Sequence, residues 1–566
     1  MKATNFRWRS AVQRRYALAI IFFIGAAVGA SLLFSGAKAA NPVAGTIGPT
    51  GAPVTWGGDA PGTGGTGGEG QCIDSGPARN CDSFTLTVTG SEADWVGKLV
   101  QVRIDWSLQA ADYDLYVHKG DLTGPVSAQG TNGGQPGTEE VAYLDPHSSG
   151  VGIYTVHVAS AVTPVPNTDQ YRGVASVVAG LSPATQASGL PPRFQIFTPQ
   201  ADLVSTGKGT DAGEPSIGVN WKTGKAMFIS DLTTFRVTFD DSCPTSPTSF
   251  WEDKSAPNNA TSLDPILFTD HGYNNQNPDV GRTIVSELSG QDSLSAYTDD
   301  DGDNWVPGQG GGIPSGVDHQ TIGAGPYHAP LVPTAYPHAV YYCSQDAALI
   351  FCARSDDGGL TFGPGVPAYN LTQCTNLHGH VKVSPDGTVY LPNRSCGSLQ
   401  GVVVSEDNGV TFNVHSIPGA TESADDPAIG IGRGDKTNGA GRVYEAFASG
   451  NTVAGVAISD DHGLTWKNVV DVGSLIGIRA AAFPAIVAGD DDRAAFAFYG
   501  STSAGAVDDR AFSGLFHLYV ATTYDGGNSW TISDATPNDP IQRNGIHLGG
   551  GSPPHRNLLD FFGIDI

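Results

Sequence analysis

The sequence is poor in charge, and especially in positive charge. Only 15% of its 566 residues are charged, and 56 acidic residues against 30 basic ones give a formal net charge of −26. A nucleic-acid surface needs clustered Lys and Arg. We therefore expect no nucleic-acid partner, and neutral, cationic or carbohydrate ligands instead.

Long hydrophobic runs are absent beyond the N-terminus. The run YALAIIFFIGAAVGASLLF follows Lys2, Arg7 and Arg9 and precedes SGAKAA. A basic start, an apolar stretch and small residues at a cleavage point form a secretory signal peptide. Residues 1–39 are therefore interpreted as a signal peptide of a secreted or cell-surface protein. Because the run approaches the ~20 residues that span a bilayer, an uncleaved membrane anchor is the alternative.

Cysteines are few, but their positions suggest local disulfides. The predicted pairs are Cys72 with Cys81, Cys343 with Cys352, and Cys374 with Cys396, with Cys243 left over. The segment YYCSQDAALIFC reads as a hairpin with its cysteines on facing strands, so a bridge is favoured over a metal site there. Such bridges form in oxidising compartments.

Glycine and proline are abundant. The chain has 75 Gly and 37 Pro beside many Val, Thr, Tyr and Phe, a composition typical of an all-β protein with many tight turns. Residues 40–71 are Gly/Pro-rich without apolar periodicity and predict a flexible lead-in. Residues 161–194 predict a second linker.

Between these segments, residues 72–160 contain short alternating strands and predict a β-sandwich. The stretches DYDLYV and GIYTVHV resemble the jelly-roll-like PPC (prepeptidase C-terminal) domains of secreted bacterial enzymes. Asp112 and Asp114 are candidates to face a calcium ion, although solvated acids at strand ends are commoner.

An octapeptide recurs in the remaining region. Its copies are TDDDGDNW (298–305), SDDGGLTF (355–362), SEDNGVTF (405–412), SDDHGLTW (459–466) and TYDGGNSW (523–530). The central aspartates are Asp300, Asp357, Asp407, Asp461 and Asp525. An Asp that accepts backbone N–H bonds, a Gly with positive φ and an aromatic residue that packs between sheets explain the motif structurally.

This octapeptide resembles the Asp-box, or BNR repeat, of sialidase-like β-propellers, where it lies between the third and fourth strands of a blade. The resemblance extends over residues 195–566. With EPSIGVN as a first blade that lacks the motif, it implies six blades. The expected fold is therefore all-β: a six-bladed Asp-box propeller after an N-terminal β-sandwich.

In a propeller, residues that precede the innermost strands surround the mouth of the central channel. This rule predicts that a group of acids, imidazoles and guanidinium groups surrounds the mouth. The catalytic candidates are Glu214, Asp279 and Asp426, and the substrate-binding candidates are Arg394, Arg479, Arg556, His328 and His380. Asp211, His378 and Asp425 belong to the same group.

Sialidases hold a substrate carboxylate with three arginines and use a tyrosine nucleophile with a glutamate. Here the Arg-Ile-Pro motif of the first blade is replaced by GEPSIGVN, and no tyrosine–glutamate pair is recognisable. The resemblance implies a glycosidase of the exo-α-sialidase type with no required cofactor, acting on an extracellular carbohydrate or glycoprotein, and we expect a monomer. A non-catalytic binding propeller is one alternative. A metal-assisted hydrolase or lyase with a divalent cation such as calcium, held by His328, His380, Glu214 and Asp426, is another.

Overall fold

The computed structural model describes residues 40–566 apart from 65–67, 77, 109, 132–137, 162–168, 210–213, 244, 260–263, 272–280, 290–292, 310–317, 347–348, 372, 375–376 and 548–556. The predicted signal peptide lies outside the described residues. As predicted, the chain is nearly all β. Among the described residues, no helix is long and apolar enough to cross a membrane.

The N-terminal unit consists of two facing sheets. One has the strand order β1-β3-β8-β5-β6 and the other β2-β9-β4-β7, and every pair except β1 with β3 is antiparallel. The strands are β1 Ala44–Ile47, β2 Val54–Asp59, β3 Cys81–Val88, β4 Lys98–Asp105, β5 Asp112–Lys119, β6 Val126–Gly130, β7 Glu139–Leu144, β8 Gly152–Ala161 and β9 Gln170–Ala179. Alternate residues of both sheets form one apolar core. A short helix, α1 (Pro146–Ser149), precedes β8.

This unit is larger than predicted. Strands β1 and β2 lie in the expected lead-in, and β9 lies in the expected linker, so the predicted limits of 72–160 were wrong. The sequence VTWGGD has little apolar periodicity. Most of the burial of this strand comes from Trp56, which stacks on Phe84 with ring centroids 4.1 Å apart. Gly173 stands opposite Trp56, and a Cβ there would come within 2.0 Å of the indole. Gly173 is thus required by packing.

The C-terminal unit contains six four-stranded antiparallel sheets that follow one another along the chain. The first three are β11 Ser216–Asn220, β12 Lys225–Ser230, β13 Thr233–Asp240 and β14 Thr248–Asp253; β15 Pro265–Thr269, β16 Thr283–Leu288, β17 Ser293–Thr298 and β18 Val306–Pro307; and β19 Asp318–Gly325, β20 Ala339–Gln345, β21 Leu349–Ser355 and β22 Val366–Asn370. The fourth and fifth are β23 Lys382–Val383, β24 Val389–Cys396, β25 Leu399–Ser405 and β26 Asn413–Thr421; and β27 Ala428–Ile431, β28 Val443–Ser449, β29 Val453–Ser459 and β30 Lys467–Asp471. The sixth is β31 Ala480–Asp490, β32 Arg493–Ser501, β33 Leu515–Thr523 and β34 Thr531–Asp534.

Further small elements accompany these sheets. Strand β10 (Ser182–Pro183) adds to the fifth sheet by pairing with β30, and β35 (Gln542–Arg543) pairs with β33. Helix α2 (Ala201–Val204) precedes the first sheet. The first strands of all six sheets line one central cavity, so they are the innermost strands.

The five octapeptides form five equivalent turns, each between the third and fourth strands of its sheet. In the turn of residues 355–362, Asp357 accepts hydrogen bonds from the Thr361 N–H at 2.8 Å, the Thr361 hydroxyl at 2.6 Å and the Ser355 hydroxyl at 2.8 Å. Gly359 adopts a φ of +92° and donates its N–H to the Ser355 oxygen. Because third and innermost strands run in the same direction, the turns lie at the end of the cavity opposite to the starts of the innermost strands.

All three predicted disulfides are present, and Cys243 is exposed and unpaired. Cys343 and Cys352 are directly opposite residues of β20 and β21, as the hairpin reading expected. Cys374 and Cys396 join the loop after β22 to the end of β24.

The described residues at the C-terminus, 557–566, lie between the sixth and the first sheets. Phe562 stacks on Tyr499 of β32 with ring centroids 4.8 Å apart. On the other side, Asp565 accepts a hydrogen bond from the Val219 N–H of β11 at 2.7 Å. This segment therefore completes the contact around the cavity.

We predict that Asp357→Ala lowers the free energy of unfolding by about 1–3 kcal/mol, because the Thr361 N–H and two hydroxyls lose their acceptor. The neighbouring Asp356, which is half exposed and pairs with Arg354, provides the matched control. Asp356→Ala should cost less than about 1 kcal/mol. Urea unfolding followed by tryptophan fluorescence measures both, and equal losses would contradict this account of the turn.

Candidate functional site

The central cavity is a small space of about 130 Å³. It is lined by all six innermost strands and by the C-terminal segment 561–566. Its walls are mainly apolar, and its polar lining comprises Ser216, Thr269, His271, His380, Lys382, Asp426, Arg433 and Asp565. The space is smaller than the roughly 300–1,000 Å³ of a site for a drug-sized molecule.

Two adjacent aspartates stand at the mouth of this cavity. Asp425 and Asp426 immediately precede β27, and they are only 2% and 7% exposed. The His319 imidazole hydrogen-bonds to Asp426, and the Arg394 guanidinium lies 3.6 Å from the other oxygen of Asp426. Asp425 accepts a hydrogen bond from the amide of Asn451. The two carboxyl groups thus have different partners.

These surroundings shift the pKa values of the two acids in opposite directions. Burial, together with the neighbouring charge of Asp426, raises the pKa of Asp425 to about 8. Burial also acts to raise the pKa of Asp426, but His319 and Arg394 outweigh it and hold that pKa below its ordinary value. At neutral pH the site therefore contains one protonated carboxyl and one carboxylate.

Two further histidines are buried beside the pair. Burial lowers the pKa of His378 to about 4 and that of His380 to about 3, so both are neutral at pH 7. His378 Nδ1 donates to the carbonyl of Gly379 at 2.9 Å, which leaves Nε2 as an acceptor. Neither His378 Nε2 nor His380 Nε2 has a hydrogen-bond partner among the described residues, and the same holds for Nε of Arg394. Of these three residues, His380 lines the cavity, whereas His378 is buried behind it.

The backbone at the mouth is held in left-handed conformations. Glu214, His319 and Phe483 have φ values of +54°, +55° and +53°. Glu214 lies just before β11, His319 is the second residue of β19, and Phe483 lies at a bulge in β31. Such conformations cost on the order of 1–3 kcal/mol for residues other than glycine, and they cluster at functional sites. Asp301, Asn408 and His462, in the octapeptide turns at the other end of the cavity, also have positive φ values, so strained backbone occurs at both ends.

The structure brings only some of the predicted site residues together. Arg394, Asp425, Asp426 and His378 meet at the mouth, and His380 lines the cavity. Glu214 is buried before β11. Asp211, Asp279 and Arg556 lie outside the described residues. Arg479 is exposed and lines a separate surface hollow with Asn451, the residue that binds Asp425.

His328 lies at the other end of the cavity. Its backbone N–H and C=O bond to the side chain of Asn408, in the turn of residues 405–412. The third innermost strand is Asp318–Gly325, so the residue at the mouth is His319 and not His328. The segment VDHQTIGAG contains a recognisable signal, a histidine at the start of a short apolar strand. The prediction instead expected the third innermost strand to follow His328.

Two other mouth residues were missed. Asp264 precedes β15 and accepts the backbone N–H of His319 at 2.9 Å. Asn451 stands in the turn between β28 and β29 and reaches Asp425 from there. No sequence pattern predicts a contact such as that of Asn451, whose side chain extends from a hairpin turn to a residue before the first strand of the same sheet.

The predicted metal ligands His328, His380, Glu214 and Asp426 do not converge. Among the described residues, the groups of three or more ligand atoms within 4.8 Å of one another all lie in the N-terminal unit.

No protein-family model and no curated protein matches this chain. Among solved structures, the chain is similar to Aleuria aurantia lectin in complex with Fucα1-6GlcNAc, with 12% identity over 60% of this chain and 98% of the lectin and a TM-score of 0.35. It is also similar to NanB with Optactamide (11% identity, 78% and 94% coverage, TM-score 0.36) and to Penicillium chrysogenum α-L-arabinanase with arabinobiose (13%, 62% and 99%, 0.34). At such low identity and TM-scores, the function has to be inferred from the residues.

We predict that the stability of the protein falls as the pH rises from about 4 to about 8, partly because of Asp425. Its carboxyl is protonated in the folded state up to about pH 8, whereas the unfolded chain loses this proton near pH 3.9. Between these values the folded state binds more protons than the unfolded state, so higher pH favours unfolding. The slope contributed is about 1.4 kcal/mol per pH unit.

Asp425→Asn should remove this component, because Asn imitates the protonated acid. Urea unfolding at pH 5, 7 and 9 tests the change. Asp471→Asn is the control: burial raises the pKa of Asp471 only to about 6, so this variant should alter the slope only below that pH. An unchanged slope in Asp425→Asn would contradict the assignment.

Proposed function

We propose that the C-terminal unit is a six-bladed, sialidase-like Asp-box β-propeller, and that the protein is a secreted glycoside hydrolase with its active site at the mouth of the central cavity. The six consecutive sheets around one cavity and the five equivalent turns support this fold. The three disulfides support an oxidising, extracellular location. We further propose that the N-terminal sandwich is a PPC-like domain.

The observation that carries the proposal is the aspartate pair with opposite protonation states. Hydrolysis of a glycosidic bond needs an acid that protonates the leaving oxygen and a carboxylate near the sugar ring. Asp425 has the raised pKa of a general acid. Asp426, kept ionised by His319 and Arg394, stabilises the positive charge that develops on the sugar.

The size of the cavity indicates how a substrate is bound. About 130 Å³ accommodates a terminal sugar rather than an internal stretch of a chain, so we infer exo-acting hydrolysis of an extracellular carbohydrate or glycoprotein. Neutral His378 and His380 offer acceptors to sugar hydroxyl groups. No step requires a cofactor.

Arg394 at the mouth supports an acidic terminal sugar such as sialic acid, and Arg479, in a separate hollow that shares Asn451, is the second candidate. Arg394 adjoins Asp426, and exposed Arg479 shares a surface hollow with the Asn451 that binds Asp425. Guanidinium groups bind carboxylates by charge-assisted hydrogen bonds.

A non-catalytic glycan-binding propeller is the second candidate. The near-complete burial of Asp425 and Asp426 favours it, because a general acid has to reach its substrate.

We predict that the protein hydrolyses at least one member of a panel of 4-methylumbelliferyl glycosides that includes the sialoside. Asp425→Asn should lower kcat by about 10²–10⁴-fold with little change in KM, since the proton donor is lost and the shape of the site is kept. The kcat of the wild type should fall above about pH 8, where Asp425 loses its proton.

Asp471→Asn serves as the control for a buried acid outside the site and should retain full activity. Saturable sugar binding without turnover would instead establish the binding propeller. Neither binding nor turnover would refute both candidates.

We predict that Arg479→Ala weakens binding of sialic acid by at least tenfold and leaves binding of neutral sugars unchanged, because it removes one ligand of the carboxylate. Arg493→Ala, which removes an exposed arginine paired with Asp490, is the matched control. Isothermal titration calorimetry measures the affinities, and equal binding by wild type and Arg479→Ala would rule out Arg479 as a ligand of the carboxylate.

A further inference from the structure

Two histidines lie side by side on the outer face of the N-terminal sandwich. His118 belongs to β5 and His157 to the adjacent β8, where His157 pairs with Tyr116. The histidines are therefore diagonal neighbours on one face of the sheet, and their ring centroids are 6.4 Å apart. Although they point away from the sandwich core, they are only 5% and 2% exposed.

A disulfide-anchored loop covers this pair. It includes the short 3-10 helix Gly68–Gln71, and the Cys72–Cys81 bridge ties it to β3. The Ile73 N–H donates to the side chain of Asn80 at 2.7 Å and fixes the loop again. Glu69 projects from this loop, and one of its oxygens lies 2.7 Å from His118 Nε2 and 2.5 Å from His157 Nδ1. Two imidazoles thus converge on one carboxylate oxygen.

The outer nitrogens of both rings face groups that only accept hydrogen bonds. His118 Nδ1 lies 2.9 Å from the carbonyl oxygen of Gly124, and His157 Nε2 lies 2.9 Å from the carboxylate of Asp74. Each outer nitrogen must therefore carry the proton. In a neutral ring the inner nitrogen then has only a lone pair, and both lone pairs point at the Glu69 carboxylate. This arrangement is stabilised either by additional protons on the inner nitrogens or by a metal cation bound between the three groups.

We propose that His118 Nε2, His157 Nδ1 and Glu69 bind one divalent transition-metal ion, with zinc as the representative ion. Imidazole nitrogens with a carboxylate suit Zn²⁺, whereas Ca²⁺ prefers oxygen ligands alone. Gly124 O and Asp74 orient the rings in the manner usual for metal-bound histidines, whose second nitrogen donates to a carbonyl or carboxylate. The metal supplies the positive charge that two additional protons would otherwise have to provide.

The site lies in the sandwich, far along the chain from the proposed active site, and its position indicates a structural task. The ion joins β5 and β8 to the covering loop, on the same loop that the Cys72–Cys81 bridge anchors. Its binding therefore holds the loop on the sheet. The proposal does not depend on the hydrolase proposed above.

The experiment uses the whole purified protein, stripped with EDTA and dialysed. Isothermal titration calorimetry with ZnCl₂ at pH 7.5 should give a site of unit stoichiometry, and CaCl₂ should not compete for it. Co²⁺ added instead should give the visible absorption of a bound low-symmetry cobalt ion. Zinc affinity should fall as the pH is lowered, because protons compete with the metal for its ligands.

Variants test the ligand set. His118→Asn, His157→Asn and Glu69→Gln should each weaken zinc binding by at least a hundredfold, and Asp74→Asn by about 10–100-fold through the orientation of His157. His147→Asn, at an exposed histidine of the same unit whose ring hydrogen-bonds to the Glu92 carbonyl, should bind like the wild type. Far-UV circular dichroism identifies variants that fail to fold. If the ligand variants fail to fold, the cobalt spectrum of Asp74→Asn, which changes an orienting residue and not a ligand, tests the site in their place. Absence of a zinc site in the wild type, or a site that survives His118→Asn, His157→Asn and Glu69→Gln, would overturn the proposal in favour of a purely ionic cluster.

Discussion

The convergence of six innermost strands on one narrow cavity is the constraint on which the candidate site depends. Strands that share an axis bring the residues before them to one end, whatever their distance along the chain. The cavity is narrow, so the polar groups that arrive there lose their water. Asp426 is compensated by His319 and Arg394, whereas Asp425 receives the Asn451 amide and keeps its proton. Burial without enough positive charge for two carboxylates is what makes the two acids different.

Local features were predictable from the sequence because their physics is local. An octapeptide turn closes on itself through one Asp, one Ser or Thr and one Gly, and all five copies therefore had a recognisable pattern. The Cys343–Cys352 bridge joins opposite residues of a hairpin and was predictable for the same reason. The all-β class followed from composition.

Features that depend on strand limits or on distant partners were not predictable to the same extent. A shift of nine residues in the third innermost strand replaced His319 by His328 among the candidates. The prediction placed strand β2 in a flexible lead-in, because most of its burial comes from a single stacked indole, and Gly58 is required by the distant residues Asp82 and Tyr171. The cluster of His118, His157 and Glu69 is formed by three separate segments of the chain. Its two histidines are neighbours because of the register between β5 and β8, which no spacing in the sequence predicts.

The segment 557–566 gives the ring of sheets a seam. Among the described residues, backbone pairing joins the strands within each sheet, but the sixth and first sheets meet through this segment, whose contacts with β11 include the bond from the Val219 N–H to a side chain. The Trp221 indole adds a bond to the Ile566 carbonyl at 2.6 Å. A contact between sheets that is held by side chains separates at a lower free energy than the unfolding of a whole sheet. Neighbouring sheets can therefore separate at such boundaries, including the one formed by residues 557–566, while each sheet stays intact.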